Sequence, residues 1–169
     1  MLDPLSEALG LFAKGEPMPP RDTALATLAA AFRALNLWAH GAHLLAKGTG
    51  FAGDHNDLLG PLYLRAGVIF DDVTERALGI GAPDVTAEPT AVTRAALVTM
   101  DGWPRVAGDD ESALMRATLT VVNAVQGILS AQTAAIVAGG GMTRGLDNLL
   151  AQQADDLEGF AYKLGRRVD

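Results

Sequence analysis

Hydrophobic side chains recur at alternating intervals of three and four residues along most of the chain. Between residues 23 and 47 they include Leu25, Leu28, Phe32 and Leu35, which fall on one face of a helix. The same pattern predicts further long helices over residues 54–78, 110–139 and 143–166. The only locally strand-like stretch is residues 97–100, which is too short to build a sheet.

Polar and glycine residues mark the ends of these predicted helices. Asp22 or Thr23 is the expected N-cap of the first helix, and Asp54 is the expected N-cap of the second. Asp109 or Asp110 is expected to begin the third helix. Pro61 lies inside the second helix and should kink it, because proline lacks the backbone N–H that continues the hydrogen-bond ladder.

The second and third helices are joined by a long connection that carries a short helix. This link is rich in Pro, Asp, Thr and Gly, and its helical stretch is predicted from Thr90, as cap, to about residue 100. A link of this length favours a crossover over a tight hairpin. The sequence therefore predicts an all-α fold, an antiparallel four-helix bundle in a single domain over residues 1–169, with its core at about 23–166.

Composition narrows the functional classes. The 169 residues carry a formal net charge of −7, which disfavours nucleic-acid binding, and the first 21 residues contain only Lys14 and Arg21 as basic groups. No uninterrupted apolar run suggests a membrane span, so we expect a soluble, cytoplasmic protein. Because cysteine is absent, any bound metal must be held by oxygen and imidazole ligands.

The three histidines are clustered where the first predicted helix ends and the second begins. His40 and His43 share a helix face, and His55 follows across a short loop. Each alone is more often a surface or a satisfied core histidine, but together they indicate a metal site for iron, zinc or manganese.

Carboxylates follow further along the second helix. Asp71 and Glu75 are four residues apart and point the same way, and Asp72 is a competing partner for Glu75. Asp57 is the acid nearest to position 59, four residues after His55. The alternative is that these carboxylates form a solvated acidic face of the helix and bind no metal. Paired carboxylates with imidazoles are nevertheless what iron bound in a helical bundle requires.

These residues resemble the Dps miniferritins, a ferritin-like family. The segment HLLAKGTGFAGDH, from His43 to His55, is similar to the Dps pattern of His, a Lys-Gly turn, Phe and a second His twelve residues after the first. Asp71-Asp-Val-Thr-Glu75-Arg76 is similar to its Asp-x-x-x-Glu-Arg, and residues 145–164 are similar to its last helix. The resemblance covers about residues 24–166.

The resemblance implies a ferritin-like bundle that oxidises Fe(II) with peroxide or oxygen and stores or sequesters Fe(III), protecting against oxidative stress. It implies a ferroxidase site between two subunits, drawn from His43, His55, Asp71 and Glu75, with the division between chains left open. His40, Asp57 and Asp72 are secondary candidates. The implied assembly is a homo-oligomer, a dodecamer built from two-fold dimers.

Two positions depart from the family pattern. Leu59 stands where the family commonly has an acid four residues after its second His, and the His55 to Asp71 spacing is one residue longer. An extra residue rotates everything beyond it by about 100° on a regular helix. We therefore expect a kink or a π-bulge within about one turn of Gly60.

The alternative function is a ferritin-like structural or assembly module that has a degenerate metal site and no ferroxidase activity. Leu59 and the longer spacing favour it, whereas the histidine cluster favours metal handling.

Overall fold

Five helices form the protein in a computed structural model that describes residues 12–13, 16–17, 19–107 and 110–168. Their bounds are Pro20–Leu45 (α1), residues 51–79 (α2), Pro89–Met100 (α3), Glu111–Ala138 (α4) and Arg144–Val168 (α5). Four are long and form the predicted bundle, and α3 is the short helix of the predicted crossover. Lys14 and Asp109 lie outside the described residues.

Helix α2 is continuous but changes its hydrogen-bond pattern. Its first turn, Phe51–Gly53, is α-helical, Asp54–Leu59 is a π-helix, and Gly60–Gly79 returns to the α form. The π-helix ends at Leu59, two residues before Pro61, whose missing N–H interrupts the α ladder. The expected π-bulge beside Gly60 is confirmed.

Helix α1 lies at the centre of the packing. It contacts α2, α3 and α4, while α5 packs against α4 and, over a smaller area, against α2. Asn36 on α1 donates to the Tyr63 carbonyl of α2, and Pro20 near the start of α1 lies close to Gly139 at the end of α4. The neighbouring long helices are therefore antiparallel. The core includes these buried side chains: Leu25, Leu28, Phe32, Leu35, Leu62, Ile69, Met115, Ile136, Leu146 and Leu150.

The helix starts agree only partly with the predicted caps. Asp110 caps α4 as predicted, with its carboxylate accepting from the Ala113 N–H. The prediction for α1 is wrong, because the helix begins at Pro20, so Asp22 and Thr23 lie in its first turn. Proline suits this first position because its missing N–H has no helical partner there.

Two further cap predictions are also wrong. Glu88, rather than Thr90, caps α3, and its carboxylate accepts from the backbone N–H of Thr90 and of Ala91. These bonds stabilise the ionised form and lower the pKa of Glu88 below its ordinary value. Asp54 lies inside α2 instead of capping it, because the helix starts earlier, at Phe51.

The remaining sequence expectations concern strands and membrane spans. A two-residue antiparallel pairing joins Phe12–Ala13 (β1) to Glu16–Pro17 (β2), and residues 97–100 are helical. Helix α4 is the one helix of the described residues that is long and apolar enough, by length and composition alone, to cross a bilayer. Its buried residues, including Leu114, Val121 and Val125, pack in the bundle core, and a core helix passes the same test.

Candidate metal centre

His43 and His55 lie face to face where α1 ends and the π-helix begins. Their ring centroids are 3.7 Å apart with an interplanar angle of 22°. His43 Nδ1 is 3.1 Å from the His55 carbonyl oxygen, and His55 Nδ1 is 2.9 Å from the His43 carbonyl oxygen. Each ring is thus tied to the backbone of the other residue.

These reciprocal bonds fix the tautomer of both rings. A carbonyl oxygen can only accept a hydrogen bond, so the Nδ1 of each imidazole must carry the proton and donate. In the neutral ring the proton is then absent from Nε2, whose lone pair is left available. Metal-binding histidines are commonly oriented in this way, with the other ring nitrogen donating to a carbonyl.

Gly60 and the π-helix make this arrangement possible. The Gly60 N–H donates to the His55 carbonyl in the i to i−5 pattern, so that oxygen accepts from both Gly60 and His43. A Cβ on Gly60 would lie 2.9 Å from the same oxygen and 3.5 Å from His43 Cε1. A side chain at this position would therefore displace the backbone that orients His43.

Aromatic rings surround the histidine pair. Tyr63 lies 5.0 Å from His43 and 4.7 Å from His40 between ring centroids, and Phe51 lies 4.7 Å from His55. The His40 ring is exposed and 6.4 Å from that of His43. Tyr63 was missed by the sequence reasoning although it lies eight residues after His55, whereas Phe51 entered it only as the Phe of the Dps pattern.

The surroundings lower the pKa of His43. Partial burial is the largest cause, and repulsion from the imidazoles of His55 and His40 adds to it, while the bond to the His55 carbonyl opposes the shift. The neutral ring is therefore favoured to a lower pH than for a free histidine. Only the neutral ring can bind a metal.

Asp71 and Glu75 lie elsewhere on α2 and are exposed. Asp71 is eleven residues beyond Gly60, or about 17 Å along the helix axis at about 1.5 Å per residue. Neither carboxylate makes an ion pair or a hydrogen bond with another described residue. They share a face with Leu64, Val68 and Leu78, because the successive spacings are four, three, four and three.

The secondary candidates diverge from the histidine pair. Asp57 is exposed and two residues from His55, and side chains two apart on a helix do not face each other. Asp72 lies on the side of α2 that faces α5, 3.9 Å from the Arg65 guanidinium, which also binds Asp156. Leu59 is fully buried in the core.

One chain therefore brings together the histidines but not the carboxylates. Among the described residues, no three His, Asp or Glu side chains of a single chain converge to hold a metal ion. The ligand set His43, His55, Asp71 and Glu75 stays a prediction, and a second copy is needed to complete it.

Replacing Gly60 by Ala should disturb the histidine pair, because the new Cβ overlaps the His55 carbonyl. We expect a loss of about 1–3 kcal/mol in the free energy of unfolding. Gly53→Ala is the matched control, since a Cβ there meets no described atom within 4 Å and the residue is helical. Urea denaturation of both variants measures the difference. Equal stability of the two would contradict the close approach at Gly60.

The lowered pKa of His43 predicts a pH-dependent stability. Below about pH 6.5 the unfolded chain takes up a proton at this residue while the folded chain does not, so stability falls as pH falls towards the folded pKa. Thermal melts between pH 7.5 and 5.5 should show this fall, and His43→Gln should reduce its slope. Titration of the His43 ring by NMR at or above the ordinary imidazole pKa would oppose the prediction.

Comparison with known proteins supports the fold. No protein-family model matches the chain, and no curated protein matches it. A C-terminal deletion mutant of Mycobacterium smegmatis Dps superposes with a TM-score of 0.71 at 18% identity, covering 98% of this chain and 99% of that one. A mutant of M. smegmatis Dps1 gives 0.66 at 19% identity and full coverage of both chains. The protein therefore has the ferritin-like fold of the Dps miniferritins.

Proposed function

We propose that the protein is an Fe(II)-binding miniferritin that oxidises iron at sites shared by two copies of the chain. The observation that carries the proposal is the pair of reciprocal hydrogen bonds between His43 and His55, which leaves the Nε2 lone pair of each ring available. Imidazole nitrogen is a suitable ligand for iron. The fold shared with Dps proteins supports the proposal.

The geometry of α2 supports a site between chains. Gly60, against which His43 lies, is buried about one turn before Leu64, and Asp71 lies further along the exposed face of α2 that carries Leu64 and Val68. A two-fold axis near Gly67 would bring two copies of α2 together in antiparallel fashion. The histidines of each chain would then lie opposite Asp71 and Glu75 of its partner.

Apolar side chains occupy the middle of that face. Leu64 is 60% exposed and Val68 is 47% exposed, and both lie between the histidines and the carboxylates. Exposed apolar residues arranged along one helix face favour burial against another protein surface. A second copy is the occupant that would also complete the ligand set.

In this proposal the histidines and the carboxylates have different roles. His43 and His55 bind Fe(II) through Nε2, while Asp71 and Glu75 supply negative charge that favours Fe(III) over Fe(II). Each Fe(II) gives one electron to oxygen or peroxide. The net charge of −7 supports retention of the cationic product.

One observation favours the alternative of a structural assembly module. Leu59 stands at the position where an acid was expected, and it is buried in the core, so it supplies no oxygen ligand. A site with fewer carboxylates would bind Fe(II) more weakly. The mutational test below separates the two functions.

The first expected outcome concerns assembly. Light scattering at micromolar protein should show a closed oligomer built from dimers, with a dodecamer as the expected size. Val68→Lys should shift the mass towards monomer, because it places a charge in the middle of the proposed contact. Val137→Lys on α4, at a similarly exposed valine, is the control. A monomeric wild type would remove the shared site.

The second expected outcome concerns oxidation. The double variant His43→Ala/His55→Ala, and separately Asp71→Asn/Glu75→Gln, should lower the initial rate of Fe(III) formation by at least about tenfold, equivalent to about 1.4 kcal/mol. His40→Ala and Asp57→Asn are exposed neighbours outside the set and should have smaller effects. The assay is anaerobic Fe(II) loading followed by peroxide.

Mixing the two inactive double variants tests whether the site is shared. After subunit exchange, a mixed dimer holds one site with both mutations and one intact site. Random pairing should restore about one quarter of the wild-type rate in a two-fold dimer. No recovery despite exchange, with an active wild type, would show that each site belongs to one chain. A wild type no faster than buffer would support the structural module.

A further inference from the structure

A cluster of charged side chains adjoins the histidine pair, because one of its members, Asp54, directly precedes His55. The Asp54 carboxylate is nearly buried and accepts two bonds from Arg167, at 2.8 Å from Nε to Oδ1 and 3.0 Å from Nη2 to Oδ2. Arg167 Nη2 also donates to Glu111 Oε1. The Glu111 oxygen in turn accepts from the Gly50 N–H at 3.2 Å.

This cluster joins segments that are far apart in sequence. Asp54 begins the π-helix, Glu111 is the first residue of α4, and Arg167 is in the last turn of α5. Glu111 also fills the space beside Gly48 and Gly50, in the loop that connects α1 to α2. Gly48 has a φ of +99°, so this close approach uses a backbone conformation that favours glycine.

The energetics of Asp54 make the contact to Arg167 a strong restraint. A buried carboxylate is costly unless it is paired and hydrogen-bonded, and the guanidinium fork satisfies both oxygens in one plane. The same bonds raise the pKa of Arg167 above its ordinary value. Removing Arg167 would leave the nearly buried Asp54 carboxylate without its compensating charge, whereas removing Asp54 would leave Arg167 paired with Glu111.

The restrained residue is next to a proposed metal ligand. Asp54 directly precedes His55, and these two residues form the start of the π-helix within α2. A shift of this turn would move the His55 carbonyl and ring, and with them both bonds to His43. Arg167 lies on α5, outside the histidine pair, and acts on it through Asp54.

We infer that Arg167 is a positioning residue, which holds Asp54 and thereby fixes the His55 and His43 rings with Nδ1 protonated and Nε2 free. Glu111 accepts from both Arg167 and the Gly50 N–H, and so connects the loop between α1 and α2 to the same guanidinium. The inference rests on the proposed function only in what the two rings are positioned for; the positioning itself is a property of the metal-free protein.

The first test measures the rings without metal. Nitrogen-15 NMR of histidine distinguishes the two tautomers, and His43 and His55 of the wild type should both carry the proton on Nδ1. Arg167→Gln should give mixed tautomers at a temperature where circular dichroism shows the helices intact. Arg166→Gln is the matched control, an exposed arginine in the same helical turn, and should preserve the wild-type spectrum.

The second test measures binding of Co(II) as a redox-inert probe of the imidazoles. Arg167→Gln should weaken Co(II) binding by about tenfold, the effect typical of removing a group that orients a ligand. Arg167→Lys keeps the charge but not the fork and should recover part of the loss. If Arg167→Gln does not fold, Arg167→Lys and Asp54→Asn carry the same comparison.

The outcomes separate the two proposals. A folded Arg167→Gln protein with wild-type tautomers and wild-type Co(II) affinity would overturn the positioning role. If the wild type binds no Co(II) and oxidises no iron, while the tautomers still change in Arg167→Gln, the proposed function fails and the positioning role stands.

Discussion

The π-helix at Asp54–Leu59 controls the direction of the side chains on either side of it in α2. It places the hydrogen-bond irregularity where the sequence carries the extra residue, which on a regular helix would rotate everything beyond it by about 100°. The His55 carbonyl oxygen accepts hydrogen bonds from the Gly60 N–H and from His43 Nδ1, so the π-helix and the histidine pair share one acceptor. Gly60 permits the close approach, and the missing N–H of Pro61 weakens the competing α pattern.

The consequence for chemistry is that ring orientation is set by backbone atoms before any metal arrives. Each imidazole donates to the backbone carbonyl of the other histidine, so neither ring can turn without losing its own hydrogen bond. Such preorganisation lowers the cost of ordering ligands when an ion binds. The carboxylates have no comparable restraint within the described part of the chain, because Asp71 and Glu75 lie on an exposed face. A partner chain would order them.

Periodic patterns predicted the fold, and local spacing predicted part of the site. The four long helices, the short crossover helix, the Asp110 cap and the π-bulge were all predicted from the sequence, since each depends on residues close along the chain. Local reasoning failed at Asp54. It was predicted to be an N-cap, but its partner is Arg167, 113 residues away.

The same limit explains the other omissions. Arg167 was not predicted to be part of the site, because its contact to Asp54 depends on how α5 packs beside α2. Tyr63 lies against His40 and His43 only because α1 and α2 are antiparallel. In the proposed shared site, the relation of Asp71 and Glu75 to the histidines depends on a second copy, which no pattern in one chain specifies.

The most direct measurement is a crystal structure of the protein soaked with Co(II), with the ion located by its anomalous scattering. The account predicts an ion at Nε2 of His43 or of His55 of one chain, together with Asp71 or Glu75 of a two-fold related chain. An ion bound by Nδ1, or His43 and His55 free of metal at saturating Co(II), would contradict it.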